Sequence, residues 1–257
     1  MHFKDQLNRT LEVPYTPRRI ISLVPSQTEL LVALGLSDFL VGITKFCVHP
    51  ETLRTTKTIV GGTKKVHYDT IEELRPDLII CNKEENTKEI VSTLEKIAPV
   101  WVSDIYTIED NLKMIRQFGE LFSVTEKAEE LTKQIEDAVH EFKEFVALKP
   151  SKKVAYVIWK NPYMVAGTVT FIDYLLTLNN FENVFARKSS RYPEVSEKEL
   201  LEADTVLLAT EPFPFKNSDV IKLKNALQTE VRLVDGEYFS WYGSRIVEAL
   251  SYFKTLH

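Results

Sequence analysis

Apolar residues follow two rhythms along this chain. Short, mainly apolar runs of four to six residues fall at 19–24, 40–44, 77–81 and 100–103, and again at 154–159, 205–210 and 231–235. Strands that are apolar throughout, rather than at alternate positions, are the kind a parallel sheet buries on both faces. Between these runs apolar residues recur at intervals of three and four, the mark of helices with one buried face. Leu30, Leu31, Ala33 and Leu34 form the first such face, and residues 171–178, 219–227 and 244–256 form later ones. Residues 107–149 contain no proline and carry Ile108, Leu112, Ile115, Phe118 and Leu121, then Ala128, Leu131, Ile135, Phe142 and Phe145 at helical spacing. A break is predicted at residues 123–126. The helix after it would be about 35 Å long at the usual rise per residue. The two halves rhyme, IEELRPDLIIC in one and EKELLEADTVLLA in the other. The pattern therefore predicts two α/β lobes, parallel sheets flanked by helices, at residues 1–122 and 150–257, joined by a linking backbone helix at 123–149.

Residues 19–50, RIISLVPSQTELLVALGLSDFLVGITKFCVHP, carry the clearest local signals. Pro25 ends a strand, because it has no N–H for a sheet ladder. Ser26 with Glu29, Asp69 with Glu72 and Ser196 with Glu199 each have the spacing of a capping box. Gly35 is placed for a left-handed residue closing the first helix. Phe46 leaves the second strand in a loop. In open α/β sheets ligands sit outside the carboxyl ends of the strands, which is where residues 25–28 and 44–50 fall. Residues 2–17 read as a polar lead-in, residues 181–192 as irregular, and residues 236–243 as an aromatic loop.

Composition narrows the function. With 257 residues, 44% hydrophobic and 27% charged, the chain is an ordinary globular protein in composition. A formal charge of −5 with acids and bases mixed argues against a nucleic-acid surface. There is no apolar run long enough for membrane insertion. Residues 1–14 lack the apolar core of a secretion signal, which points to the cytoplasm, or to the periplasm or cell surface if a leader has been removed. Cys47 and Cys81 read as reduced buried thiols. No GxSxG, P-loop, GxGxxG, HExxH or paired CxxC occurs, so neither an enzyme nor a bound metal is expected. His49 and His67 stand without an acidic cluster at metal-site spacing.

Several weak motifs in one order carry a resemblance. RIISLVPSQTELLVALGL, VGIT before an aromatic, TIEELRPDLII, Asn161-Pro162 followed by Gly167, YPEVSEKELL and GEYFSWYGSRIVEAL together cover most of the chain. In these the chain resembles the class III periplasmic-type substrate-binding proteins, also called helical-backbone metal receptors of the TroA-like superfamily, and among them the vitamin B12-binding branch. The resemblance implies a ligand cleft between the lobes, small hinge motion, and no catalysis. It implies a corrinoid (cobalamin-like) or other metal-chelate ligand, with no intrinsic cofactor, and delivery to an ABC permease by a monomer. By position it makes Phe46 and Tyr192 aromatic contacts, places Met164 and Thr63 where relatives carry aromatics, and puts Glu237 at an acidic position. Asp69 falls on one permease-docking acid. The other falls on Lys198, whose neighbours Glu197 and Glu199 could replace it.

The residues themselves suggest the same edge. Pro25 and Ser26 could present amides and a hydroxyl at a helix N-terminus. Phe46, Trp159, Tyr192, Tyr238, Phe239, Trp241 and Tyr242 could line an aromatic cleft. Lys64 could face an anionic group, whereas Trp101, inside a strand, reads as core. Two alternatives stay open. One keeps the fold and changes the ligand to an iron-siderophore or haem, with Arg187, Arg191 and Arg245 as anchors. The other is a cytoplasmic cofactor carrier without a permease.

Overall fold

The computed structural model describes residues 1–257 and divides them into two compact units. The first comprises residues 1–136 with 242–246, and the second residues 137–241 with 247–257.

The first unit opens on an antiparallel hairpin, β1 (His2–Lys4) and β2 (Thr10–Glu12). Its sheet contains β3 (Ile20–Ser22), β4 (Leu40–Ile43), β5 (Thr58–Ile59), β6 (Leu78–Asn82) and β7 (Val100–Ser103) in the order β5-β4-β3-β6-β7, all parallel. The strands alternate with α1 (Pro25–Ala33), α2 (Leu53–Thr56), α3 (Tyr68–Glu73) and α4 (Lys88–Leu94), and α5 (Ile108–Leu121) follows. β3, β6 and β7 are buried at every position, as continuous apolar runs require. Ile21, Ile79, Cys81, Val100 and Val102 pack in one cluster with Ile71, Ile90 and Leu94 of the helices.

Helix α6 (Thr125–Val146) is continuous over 22 residues, and the boundary between the units falls inside it. The second sheet is built on β8 (Lys152–Trp159). The first half of β8 pairs with β10 (Phe181–Asn183) and the second half with β9 (Tyr163–Val165), which continues to β11 (Glu194–Val195). On its other side stand β12 (Thr205–Ala209) and β13 (Glu230–Val234), both parallel to it in direction. The helices are α7 (Phe171–Leu178), α8 (Glu197–Leu200), α9 (Asn217–Leu227), α10 (Gly236–Ser240) and α11 (Ile246–Phe253). Ala155, Val157, Val206 and Leu208 pack with Leu200, Leu223 and Leu227. The expected architecture of two α/β lobes with parallel sheets is present.

Several local expectations are corrected. α1 begins at Pro25, so residues 25–28 are its first turn; the fixed φ of proline suits that position. Val24 is the N-cap without a side-chain bond, and Ser26 caps nothing. Asp69 likewise lies inside α3, whose N-cap is His67. The Ser196–Glu199 box is present with both of its bonds, and Gly35 is left-handed at φ +79°. Helix α10 replaces the first part of the aromatic loop, because Asp235 caps it through the amide of Glu237. Residues 181–183 form a strand within the segment read as irregular. The lead-in is also built in: the buried Asp5 carboxylate accepts from the amides of Leu7 and Arg9 and from that of Val102 on the edge strand β7. That covers an edge that would otherwise invite pairing. Residues 242–246, expected in the C-terminal lobe, belong to the first unit.

Helices α5 and α6 meet at Gly119, where an added Cβ would lie 2.6 Å from the Cβ of Ala128. Gly119→Ala gains about 1 kcal/mol in helix propensity and meets an overpacking cost of about 1–3 kcal/mol. The expected result in urea denaturation is a net loss of stability. In an Ala128→Gly background the cost should fall, leaving only the 3.2 Å approach to the Thr125 Cα.

Candidate ligand-binding site

The carboxyl ends of β3, β6 and β7 are polar and buried. Ser22, Asn82 and Ser103 each end an apolar strand. Ser103 Oγ donates to the Cys81 carbonyl and accepts from Asn82 Nδ2 at 3.0 Å and Gln27 Nε2 at 2.5 Å. Gln27 also donates to the Tyr242 hydroxyl at 3.0 Å. Asn82 Oδ1 accepts the amides of Glu84 and Glu85 and so shapes the loop after β6. Asn86 binds the amide of Asn82 and donates to the carbonyl of Thr63. One chain of bonds thus ties the loops after β5 and β6 to the end of β7. Gln27 Oε1 is buried and unpaired. Burial pushes the Tyr242 phenol far up, against the smaller opposing pull of its bonds to Ser103 and Gln27. Burial also raises both thiols, Cys47 beside Thr28 and Thr44 and Cys81 within β6, so both are held as neutral, unbridged thiols.

Phe46 stands on this edge, 49% exposed. Its ring lies against Gly62, where a Cβ would approach to 3.1 Å, and the Lys45 ammonium is 5.0 Å from its centroid. Thr63 is half-buried with its carbonyl taken by Asn86. Lys64 is exposed, and its ammonium donates to the Glu84 carbonyl. Pro25 and Ser26 are buried in the first turn of α1.

In the second unit, Trp159 ends β8 at 41% exposure. It meets Phe213 edge to face at 5.5 Å, and Phe213 packs on the buried Phe215. Met164 is half-buried in β9, opposite Trp159 and Glu194. Tyr192 is half-buried, with the Arg191 guanidinium 5.6 Å from its ring. Tyr238 stacks on Tyr252 at 4.8 Å. Phe239 is fully buried between Tyr156 and Phe253, a core residue of this unit. Trp241 is buried and donates its indole N–H to Glu211, which also accepts from Ser240. Burial raises the Glu211 carboxyl. Glu237 is half-buried in the first turn of α10.

Asp69 and Glu197 are exposed in the first turns of α3 and α8. Glu199 is engaged by Lys188 at 2.7 Å and by its own cap, which lower its carboxyl to about 2. No group of three or more His, Cys, Asp or Glu comes together in a way that could hold a metal ion. Gln27, Asn82, Asn86 and Ser103 are additions to the residues named from sequence. The available signal was a lone polar residue closing an apolar run, as in DLIICN and VWVS.

The model of a family described as "Periplasmic binding protein" matches residues 20–213. The vitamin B12-binding protein of Salmonella typhimurium is 26% identical over 243 residues, 91% of this chain and 88% of that one. YvrC of Bacillus subtilis, an uncharacterized ABC transporter substrate-binding lipoprotein, is 25% identical over 190 residues, 71% of this chain. The matched part is 60% of that lipoprotein's length, less than two thirds. Among solved structures, the periplasmic vitamin B12 binding protein BtuF of Vibrio cholerae superposes with a TM-score of 0.80 at 19% identity, covering 94% of this chain and 97% of that one. A periplasmic heme binding protein from Pseudomonas aeruginosa gives 0.81 at 20% identity, covering 93% and 92%. At these identities the likeness is one of fold.

Tyr242 and the fully buried Tyr156, whose phenol is also raised by burial, hold their protons in the folded state past the usual phenol range. A raised folded value means their contribution is complete below pH ~10, where a free phenol titrates, and is lost as pH rises beyond it. In an alkaline absorbance titration these two phenols should ionise only on unfolding. Tyr242→Phe should remove one of the two and cost about 1 kcal/mol at neutral pH.

Proposed function

The chain is a member of the periplasmic binding protein family, and on that footing we propose that it is a substrate-binding protein of the ABC-importer type, a carrier and not an enzyme. The proposed ligand is a corrinoid or other metal chelate. The observation that carries this reading is the pair of large exposed aromatics, Phe46 on one edge and Trp159 on the other. Each is held in place by its own unit, by Gly62 in one case and Phe213 in the other. A flat apolar ligand face would cover either ring, at a gain set by aromatic area. Relatives named as vitamin B12-binding proteins agree with that chemistry.

Two of the three arginines that could anchor a carboxylate-bearing ligand are already engaged, which favours a corrinoid. Arg245 is buried in a bidentate pair with Glu29, and Arg191 donates to the Val169 carbonyl. Arg187 is the exposed one. For permease docking, Asp69 and Glu197 are the better placed acids, since Glu199 already holds Lys188 and its helix cap. Delivery to a permease implies a periplasmic or cell-surface location.

The test is to incubate the purified protein with cyanocobalamin, haem and a ferric siderophore, and to follow thermal stability and visible absorbance. Ligand at about a hundred times its Kd stabilises by about 2.7 kcal/mol, which for a protein of this size raises the Tm by several degrees. Phe46→Ala and Trp159→Ala should each weaken binding about tenfold, the worth of one aromatic contact. The reading fails if no chelate shifts the Tm at concentrations well above micromolar.

A further inference from the structure

The chain passes between its units three times: within α6 between Glu136 and Asp137, after Trp241, and after Ile246. The five residues between the last two passes are held in the first unit by three independent sets of bonds. Gln27 of α1 donates to the Tyr242 hydroxyl. Asn111 of α5 closes a ring on the Gly243 backbone, accepting its N–H at 2.7 Å and donating to its carbonyl at 3.2 Å. Arg245 forms a two-pronged pair with Glu29 of α1 at 2.7 and 2.9 Å. Gly243 adopts φ +92°, and a Cβ there would come within 3.2 Å of both Leu30 Cβ and the Ser26 carbonyl.

Gln27 and Asn111 are fully buried and Arg245 nearly so. A buried polar group that loses its partner bears the whole desolvation cost, so such anchors do not open one at a time. The flanks belong to the other unit. Trp241 is bonded to Glu211, and α11 beyond Ile246 packs Phe253 on Phe239 and Phe142.

We propose that residues 242–246 are a second tether beside α6, clamped by α1 and α5, which restricts movement of one unit against the other. A single helix would leave bending and twisting to its own stiffness. A strap clamped in one unit and continuous at both ends with the other adds two further covalent constraints. The inference is independent of which ligand is bound.

The test uses the full chain with spin labels on cysteines placed at the exposed Lys96 and Lys222, since Cys47 and Cys81 are buried. Asn111→Ala frees the Gly243 backbone. Should that variant not fold, Glu29→Leu/Arg245→Met replaces a charged pair by apolar groups of similar size, an exchange proteins often tolerate. The expected result is about a tenfold rise in hydrogen exchange across residues 242–246, the scale of losing a buried bond, together with a broader label-to-label distance distribution. Faster exchange with an unchanged distribution would show that the strap does not limit motion. Unchanged exchange would show that these residues do not clamp it. Either result overturns the proposal. No ligand enters the measurement, so its outcome is separate from that of the chelate-binding test.

Discussion

A mainly apolar parallel strand, buried along its whole length, has no face to show to water, and each unit is arranged around that constraint. β6, β7 and β12 are buried along their full length, so helices must cover both faces of each sheet. The alternation of strand and helix then leaves the strand ends as the places where polar chemistry can stand. In the first unit those ends are Ser22, Asn82 and Ser103. In the second they are Trp159, Glu211 and Asp235. Because all of these except Trp159 are buried or half-buried, their polar atoms need partners close by. Asn82 and Ser103 find them in each other, in Gln27 and in loop amides. Glu211 finds Ser240 and the Trp241 indole. The bonds that satisfy the edge also fix the loops that leave it.

This separation sorts the aromatics. Those inside the polar bonding or the core cannot also meet a ligand as free rings. Phe239 fills the space between Tyr156 and Phe253, and the Tyr242 hydroxyl is part of the Gln27–Ser103 chain. Phe46 and Trp159 stand outside, each resting on a neighbour that holds its orientation. Density of aromatics in GEYFSWYG is therefore a poor guide to which of them are exposed. Position relative to a strand end is a better one, and it favoured Phe46 and Trp159 in sequence as well.

What was legible in the sequence was what local pattern determines. The apolar runs, the break before Thr125, the Ser196 capping box and the left-handed Gly35 all depend on residues within a turn or two of one another. Strand β10 was not legible, because Phe-Glu-Asn has too few apolar residues to signal a strand. It is one because β8 offers an open edge beside residues 152–154. Gln27 looks like an exposed polar residue on a helix, and its buried partner Ser103 is 76 residues away. Helix α10 was readable in principle from Asp235 before Gly-Glu, an N-cap signal obscured by the aromatics that follow.

Glu29 shows why local rules fail at this edge. Its spacing from Ser26 offered a capping box, worth about 1 kcal/mol at a helix end. Its carboxylate instead binds the guanidinium of Arg245, 216 residues away, with Arg245 buried to 8% exposure. Removing one partner of a buried ion pair costs about 3–5 kcal/mol, because the other charge is left without compensation. The ion pair therefore outweighs the cap. The helix start is met without that cap by Pro25, which has no N–H to satisfy, while the Thr28 amide reaches the Val24 carbonyl. The same carboxylate that gives up a local role thereby secures the returning segment against α1, and a contact that no window of the sequence contains determines how the first helix begins.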